Sequence, residues 1–379
     1  MKNKIQKHEP DFYILFSTIM LVFIGVVMVY SASSPKALAD FGDPLHLFKR
    51  QFIWAIVGLS VMILLMNVDY RILKKNAGII YLITILSGLL IFTPLGIELK
   101  GARRWINLGF TTFMPSDAIK LGSIIFFASF LENKKEKVST FRNGLIPAFL
   151  IIGLSTGLVY LQKDLSTSAT VAGTMISMYF IAGMPYYVIF ISGLASVAFL
   201  RFAIFSEGNE YRLERVKAFR DPFADKLGDG YQIVQSLYAL GSGGLFGVGL
   251  GKSKQKFFYI PEAYNDFIFS IIGEELGFVG TTFVIALFFI IIIRAFKVAI
   301  NSQDRFAFFV ASGIGFLVAI QSLMNIAVVT SSIPATGINL PFISSGGTSL
   351  IFYLASIGIL LNISRYTIKD RSIKNEHNS

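Results

Sequence analysis

A carboxylate that must take a proton from a hydroxyl works best when partly withdrawn from water, and a departing anion needs positive charge beside it. Asp266 stands in IPEAYNDFIF, where a polar loop gives way to an apolar helix, and a carboxylate there suits a general base. The same position equally suits a simple helix N-cap. Glu262, four residues earlier, is the one nearby acid able to share the work. The cationic complement is Lys100, Arg103 and Arg104, followed by Trp105, in LKGARRWINLG, with Lys252, Lys254 and Lys256 in GKSKQKFFY. Six cations on one face suit a phosphate or pyrophosphate, or the anionic headgroups of membrane lipids. PFISSGGTS at 341–349 adds the hydroxyls of Ser344 and Ser345 and a run of backbone amides, or merely caps a helix.

Other ionisable groups interrupt apolar runs, where charge is costly and marks either function or a structural pair. Asp117 and Lys120 sit three residues apart, close enough to pair on one helix face. Glu274 and Glu275 fall in GEELG, where packing against polar backbone or a helix end is the plainer reading. Cysteine is absent and the three histidines, His8, His46 and His377, lie in tails or a loop, so thiol and imidazole chemistry are excluded as the core of a mechanism.

The elements that must position these residues are membrane helices. Of 379 residues 54% are hydrophobic and only 15% charged, too few to clothe a water-soluble enzyme. Uncharged stretches predict about ten transmembrane helices, near 12–30, 52–68, 77–97, 116–131 and 144–161, then 167–184, 186–205, 267–293, 306–329 and 349–363. The fold class is all-α and polytopic, a single domain over 1–379. It carries one large extracytoplasmic loop at 206–266 and a polar cytoplasmic tail at 366–379. Basic residues concentrate in alternate short loops, so both termini are read as cytoplasmic, and the net charge of +11 is assigned to loop anchoring rather than nucleic acid.

Within the large loop, YRLERVKAFR at 211–220 predicts a basic amphipathic turn or helix resting at the membrane surface, stopped by Asp221-Pro222. GSGGLFGVGLG at 241–251 is too glycine-rich for a regular element and predicts close-packed backbone. No internal repeat is evident, which argues against an inverted-repeat transporter.

Four separated blocks, in order between predicted spans, make the chain similar to a known family. They are GARRWI at 101–106, PSDAIK at 115–120, the long run through 211–280, and ATGINLPFISSGGTSLI at 335–351, with QKDLSTS at 162–168 as further support. The chain resembles the SEDS family of FtsW, RodA and SpoVE over roughly 10–365, and its wording is nearer the division and sporulation branch.

That resemblance implies a peptidoglycan glycosyltransferase of the bacterial cytoplasmic membrane, polymerising lipid II at the outer face into a glycan strand. It implies a class B penicillin-binding protein as partner and Asp266 as the catalytic aspartate. Arg104 corresponds to the arginine before tryptophan, and Lys256, beside Gln255, to the family's lysine. An α-linked diphosphate donor and a β-linked product call for inversion with one base. Asp266 would deprotonate the acceptor 4-hydroxyl, while Arg104 and Lys256, helped by Arg103 or Lys252, receive the diphosphate. No cofactor is required, although a divalent cation (Mg or Mn) between Asp266 and the diphosphate is compatible with the chemistry. Rival readings are a lipid II flippase and a scaffold for the transpeptidase. The sequence departs from the family at Asp117 (usually Glu), at Lys163 and Ser166 flanking Asp164-Leu165, at Ser345 (usually Tyr), and at Tyr264 and Asn265 (usually His and Thr).

Overall fold

A computed structural model describes residues 7–99, 102–109, 111–205, 210–223 and 230–367. Lys100 and most of the polar tail lie outside the described residues. Thirteen α-helices occur among those described: α1 (Phe12–Phe41), α2 (His46–Asn67), α3 (Tyr70–Lys75), α4 (Ala77–Leu89), α5 (Pro115–Lys134), α6 (Ile146–Leu161) and α7 (Leu165–Ile181), then α8 (Tyr186–Phe205), α9 (Glu210–Arg220), α10 (Tyr231–Gly243), α11 (Ile268–Ile300), α12 (Arg305–Val329) and α13 (Thr348–Ser364). Each of the ten expected spans falls on a helix. Six helices are long and apolar enough to cross a bilayer, and α4, α7 and α13 are shorter apolar helices. This is a multi-pass helical membrane protein.

Scarce acids are placed where helix geometry needs them. Asp11, Asp69, Asp164 and Asp304 each cap a helix by accepting backbone N–H groups of its first turn. The two described ends meet, with the His8 N–H donating to the Arg365 carbonyl at 2.8 Å. We call that end of the bundle the terminal side and the opposite end the loop side.

Two elements differ from expectation, both for backbone reasons. Residues between α4 and α5 form a small antiparallel sheet, β1 (Gly96–Leu99), β2 (Ala102–Asn107) and β3 (Thr112–Phe113), in the order β1-β2-β3. Strand β2 holds the Arg-Arg-Trp string in extended backbone. The glycine-rich stretch is partly regular, since α10 runs through Gly243, and the irregular part locks onto a break in α11. Gly277 there adopts φ 68° and ψ −165°. The N–H groups of Val248 and Gly249 donate to the carbonyls of Glu274 and Glu275, and Phe278 and Val279 donate to Gly244 and Leu245. The helix groups freed by the break are therefore satisfied by the loop. A Cβ on Gly277 would lie 2.3 Å from the Gly247 nitrogen, so only glycine fits.

Depth follows from two contacts between the long helices α1 and α11. Arg294 pairs with Asp11 on the terminal side, and Ser31 donates to Glu275 at 2.7 Å nearer the loop side. From 275 to 294 along α11 is roughly 28 Å at 1.5 Å per residue, and from 11 to 31 along α1 roughly 30 Å. Both match a hydrocarbon core about 30 Å thick.

Candidate active site

The segments bearing most of the candidate residues converge at the loop side on a cavity of about 700 Å³. The N-terminal end of α2, the small sheet, the start of α5, the turn between α6 and α7, the stretch before α11 and the stretch before α13 all contribute to its wall. Asp266, Glu262, Arg104, Trp105, Ser345 and the pair Asp117–Lys120 are among its lining residues.

Asp266 ends a turn stitched to the segment before α13. Ser344 Oγ donates to the Asn265 carbonyl at 2.7 Å, and the Ser345 N–H to the Tyr264 carbonyl at 3.0 Å. The buried amide of Asn325, on α12, donates to the carbonyls of Asp266 at 2.7 Å and Ile338 at 2.6 Å. Gly337, at φ 77°, passes so close that a Cβ there would sit 3.4 Å from Asp266 Oδ2. Ser344 is thus a fastening inside the wall, while Ser345 lines the cavity.

Glu262 takes left-handed backbone (φ 53°) and accepts from Asn265 Nδ2 at 2.8 Å and Lys36 Nζ at 3.4 Å. Lys36 also lies over the Tyr264 ring, 5.6 Å from its centroid. Burial, and secondarily the charge of Glu262, push the Tyr264 hydroxyl above its usual range, so it stays neutral. Of the two residues expected to depart from the family pattern here, Asn265 holds Glu262 directly and Tyr264 lies beneath Lys36.

Arg104 reaches the cavity from β2 and is oriented by the turn before α7. Its Nη2 donates to the Lys163 carbonyl at 2.5 Å, and its Nη1 lies 3.9 Å from Asp164 Oδ2. Asp164 is itself fixed by accepting from the Thr167 N–H at 3.0 Å. Lys163 takes left-handed backbone (φ 58°), which turns its carbonyl toward the guanidinium. Arg104 Nε is buried without a hydrogen-bond partner in the protein. Arg103 does not line the cavity and faces Glu98 at 3.9 Å.

At the cavity floor Lys120 Nζ lies 2.7 Å from Asp117 Oδ1 and reaches Tyr353 Oη at 3.1 Å and Gln321 Oε1 at 3.3 Å. The pair is intrahelical and ties α5 to α12 and α13.

Lys256 stands apart from this cavity. It does not line the cavity but is buried, its Nζ 3.0 Å from Glu275 Oε1 and 3.1 Å from Ser31 Oγ. Charge at the edge of the hydrocarbon is tolerated only when paired, and Glu275 completes the pair. Glu274 accepts from the Lys254 N–H at 2.8 Å and from the Ser253 hydroxyl, so the two glutamates fasten the lysine-bearing loop to α11 and α1. Gln255, whose N–H points to Glu274, also lies away from the cavity, and Lys252 and Lys254 are exposed outside it.

Several lining residues carry no signal in a search for ionisable groups at membrane depth. Gln51 and Trp54 on α2, Gln321 on α12 and Arg215 on α9 all line the cavity, and Asn325 supports it from behind. The available signal was uncharged amides in apolar helices, Gln321 and Asn325 four apart on one face of α12.

A polytopic helical bundle with a charged cavity opening at one end is the class this geometry defines. The family model described as "Cell cycle protein", covering FtsW, RodA and SpoVE, matches residues 12–369, and the chain belongs to that family. It is 41% identical to stage V sporulation protein E of Bacillus subtilis (strain 168), across 96% of this chain and 99% of that one. It is 41% identical to a probable peptidoglycan glycosyltransferase FtsW of Geobacter sp. (strain M18), across 93% and 96%. Among solved structures it resembles a chain of a peptidoglycan synthase complex that coordinates polymerization and crosslinking, with TM-score 0.78, 28% identity and coverage of 95% and 99%. RodA of Thermus thermophilus superposes with TM-score 0.70 at 27% identity, covering 95% and 98%.

Proposed function

We propose that this chain is a peptidoglycan glycosyltransferase that polymerises lipid II at the outer face of the cytoplasmic membrane, with both termini cytoplasmic. Asp266 is the base and Arg104 the principal cation for the leaving group. The reading rests above all on one observation, that Asp266, Arg104 and Trp105 line a single cavity on the loop side. Asp266 lies two residues before α11, whose run from Ile268 to Glu275 is roughly 10 Å at 1.5 Å per residue, so it stands further toward water than Glu275. A lipid-linked diphosphate is expected at that level.

Asp266 takes the proton of the acceptor 4-hydroxyl as that oxygen attacks the donor's anomeric carbon. The bond from that carbon to the diphosphate oxygen breaks with its electron pair, and the configuration inverts. Arg104, with Lys163, Arg215 and Arg50 lining the same cavity, receives the polyprenyl diphosphate. These cations take the role that the sequence reading had shared between Arg104 and Lys256. Among the described residues no group of three or more acidic or histidine side chains could hold a metal. Mg2+ binds through one or two carboxylates completed by substrate phosphates, so Asp266 is the residue that would hold a divalent cation, supplying charge at the diphosphate.

The proposed partner is a class B penicillin-binding protein. The test is polymerisation of lipid II in detergent by the purified chain with its transpeptidase, with and without chelator. Glycan strands are expected from wild type and not from Asp266→Asn. Equal yield from both rejects Asp266 as base. A flippase, by contrast, yields no strands in detergent, and a scaffold leaves growth intact after Asp266→Asn.

A further inference from the structure

We infer that Gln51 and Trp54 on α2, together with Asp117 of the same cavity, form a subsite that recognises the sugar of the lipid-linked substrate through its hydroxyl and amide N–H donors. This rests on the glycosyltransferase reading and adds to it the part of the substrate this subsite reads. The chain has two tryptophans, Trp54 and Trp105, and both line this cavity although they come from different elements. Trp54 lies against the glycine turn before α13, its Nε1 3.6 Å from where a Cβ of Gly347 would stand. Gly347 thus leaves room beside the indole. A large aromatic face with a polar edge suits a sugar ring, whose C–H face is apolar and whose rim is hydroxylated.

Gln51 is one turn from Trp54 on the same face of α2 and only 2% exposed. Its Nε2 reaches the Ser344 carbonyl at 3.4 Å, while its Oε1 is buried without a hydrogen-bond partner in the protein. Asp117, 3% exposed, is in the same condition, with Oδ1 paired to Lys120 and Oδ2 buried and unpartnered. Leaving a buried acceptor unmade is unfavourable. Two such acceptors among the residues lining one cavity, both short of donors, select a ligand rich in O–H and N–H groups. The cations of the same cavity, Arg104 and Lys163 among them, have the opposite chemistry and suit the diphosphate. The unpartnered acceptors of this cavity thus suit the sugar, and its cations suit the anion. A site built to hydrogen-bond such donors discriminates strongly against an analogue that lacks them.

The test uses the full chain in phosphatidylcholine nanodiscs and two probes, lipid II and bare undecaprenyl diphosphate, which shares the lipid and anion but has no sugar. Gln51→Leu and Trp54→Leu are each expected to weaken lipid II binding about tenfold while changing undecaprenyl diphosphate binding less than about twofold. Trp54→Phe, which keeps a ring, should restore most of the loss, and thermal unfolding of each variant reports folding separately. Equal weakening of both probes would assign the subsite to the lipid or diphosphate and overturn the inference. So would unchanged affinity for both, or a wild type that holds the two probes equally. Because binding is read without turnover, a chain that binds the sugar-bearing lipid selectively but makes no strands keeps this subsite and sinks the polymerase reading instead.

Discussion

The side-chain amide of Asn325 donates to the main-chain carbonyl of Asp266 at 2.7 Å, and the same nitrogen reaches Ile338 at 2.6 Å. One buried amide on α12 thus holds the base-bearing turn against the opposite wall. Asn325→Leu leaves two carbonyls without their donor, at a cost of about 1–3 kcal/mol each. Misplacement of the base by an ångström is expected to lower turnover about a hundredfold. Steady-state polymerisation alongside lipid II binding checks this, since turnover should fall while affinity holds. A variant that loses both equally would make Asn325 a general packing residue.

Gly337 offers a subtler perturbation of the same carboxylate. Its φ of 77° strains any L-residue, and because a Cβ there would touch Asp266 Oδ2 at 3.4 Å, any backbone shift that relieves the strain is passed to the carboxylate. Gly109, at φ 86°, has open space around it and serves as the control. Alanine at either position should cost about 1 kcal/mol of stability from the backbone alone. Only Gly337→Ala should slow polymerisation. Comparable rates for the two variants would mean that the carboxylate tolerates the methyl group.

Arg104→Ala is expected to remove about 2–4 kcal/mol of transition-state stabilisation, read from kcat/KM. Arg104→Lys should recover little, because an ammonium cannot serve the Lys163 carbonyl, Asp164 and a diphosphate in the guanidinium's geometry. Full activity in either variant would reassign Arg104 to fastening the turn before α7.

The Lys256–Glu275 pair separates a structural from a catalytic lysine. Removing one partner of a buried pair costs about 3–5 kcal/mol, so Lys256→Met and Glu275→Gln should each lower thermal stability and yield. The double variant is neutral in that pocket, and the amide oxygen that replaces the carboxylate can still accept from Ser31. It is expected to regain stability and to polymerise. A folded double variant without activity would return Lys256 to the reaction.

Much of this arrangement was legible in the residues. Each apolar run predicted a helix because membrane depth allows little else, and Asp266, Arg104 and Trp105 were visible as a carboxylate, a cation and an aromatic in the segments between spans. The pairing of Lys256 was not legible, because a lysine in a polar string gives no hint of which carboxylate will neutralise it. Its partner lies nineteen residues on, inside a span, and contact depends on the break at Gly277. Gln51, Trp54 and Asn325 escaped because an uncharged side chain in an apolar helix registers as mere tolerance until the bundle closes around it. The sheet that holds Arg104 escaped because its strands are short, two to six residues, and pair only with one another.

The two rungs joining α1 and α11, Asp11 to Arg294 and Ser31 to Glu275, fix a ruler inside the protein. A rigid ruler does not stretch with its surroundings, so in membranes of longer or shorter acyl chains it is the lipid that must thin or thicken, at a fraction of a kcal/mol per ångström. The height of Asp266 above that ruler is then a property of the fold, and the reaction keeps its distance from the oily layer whatever the composition of the membrane.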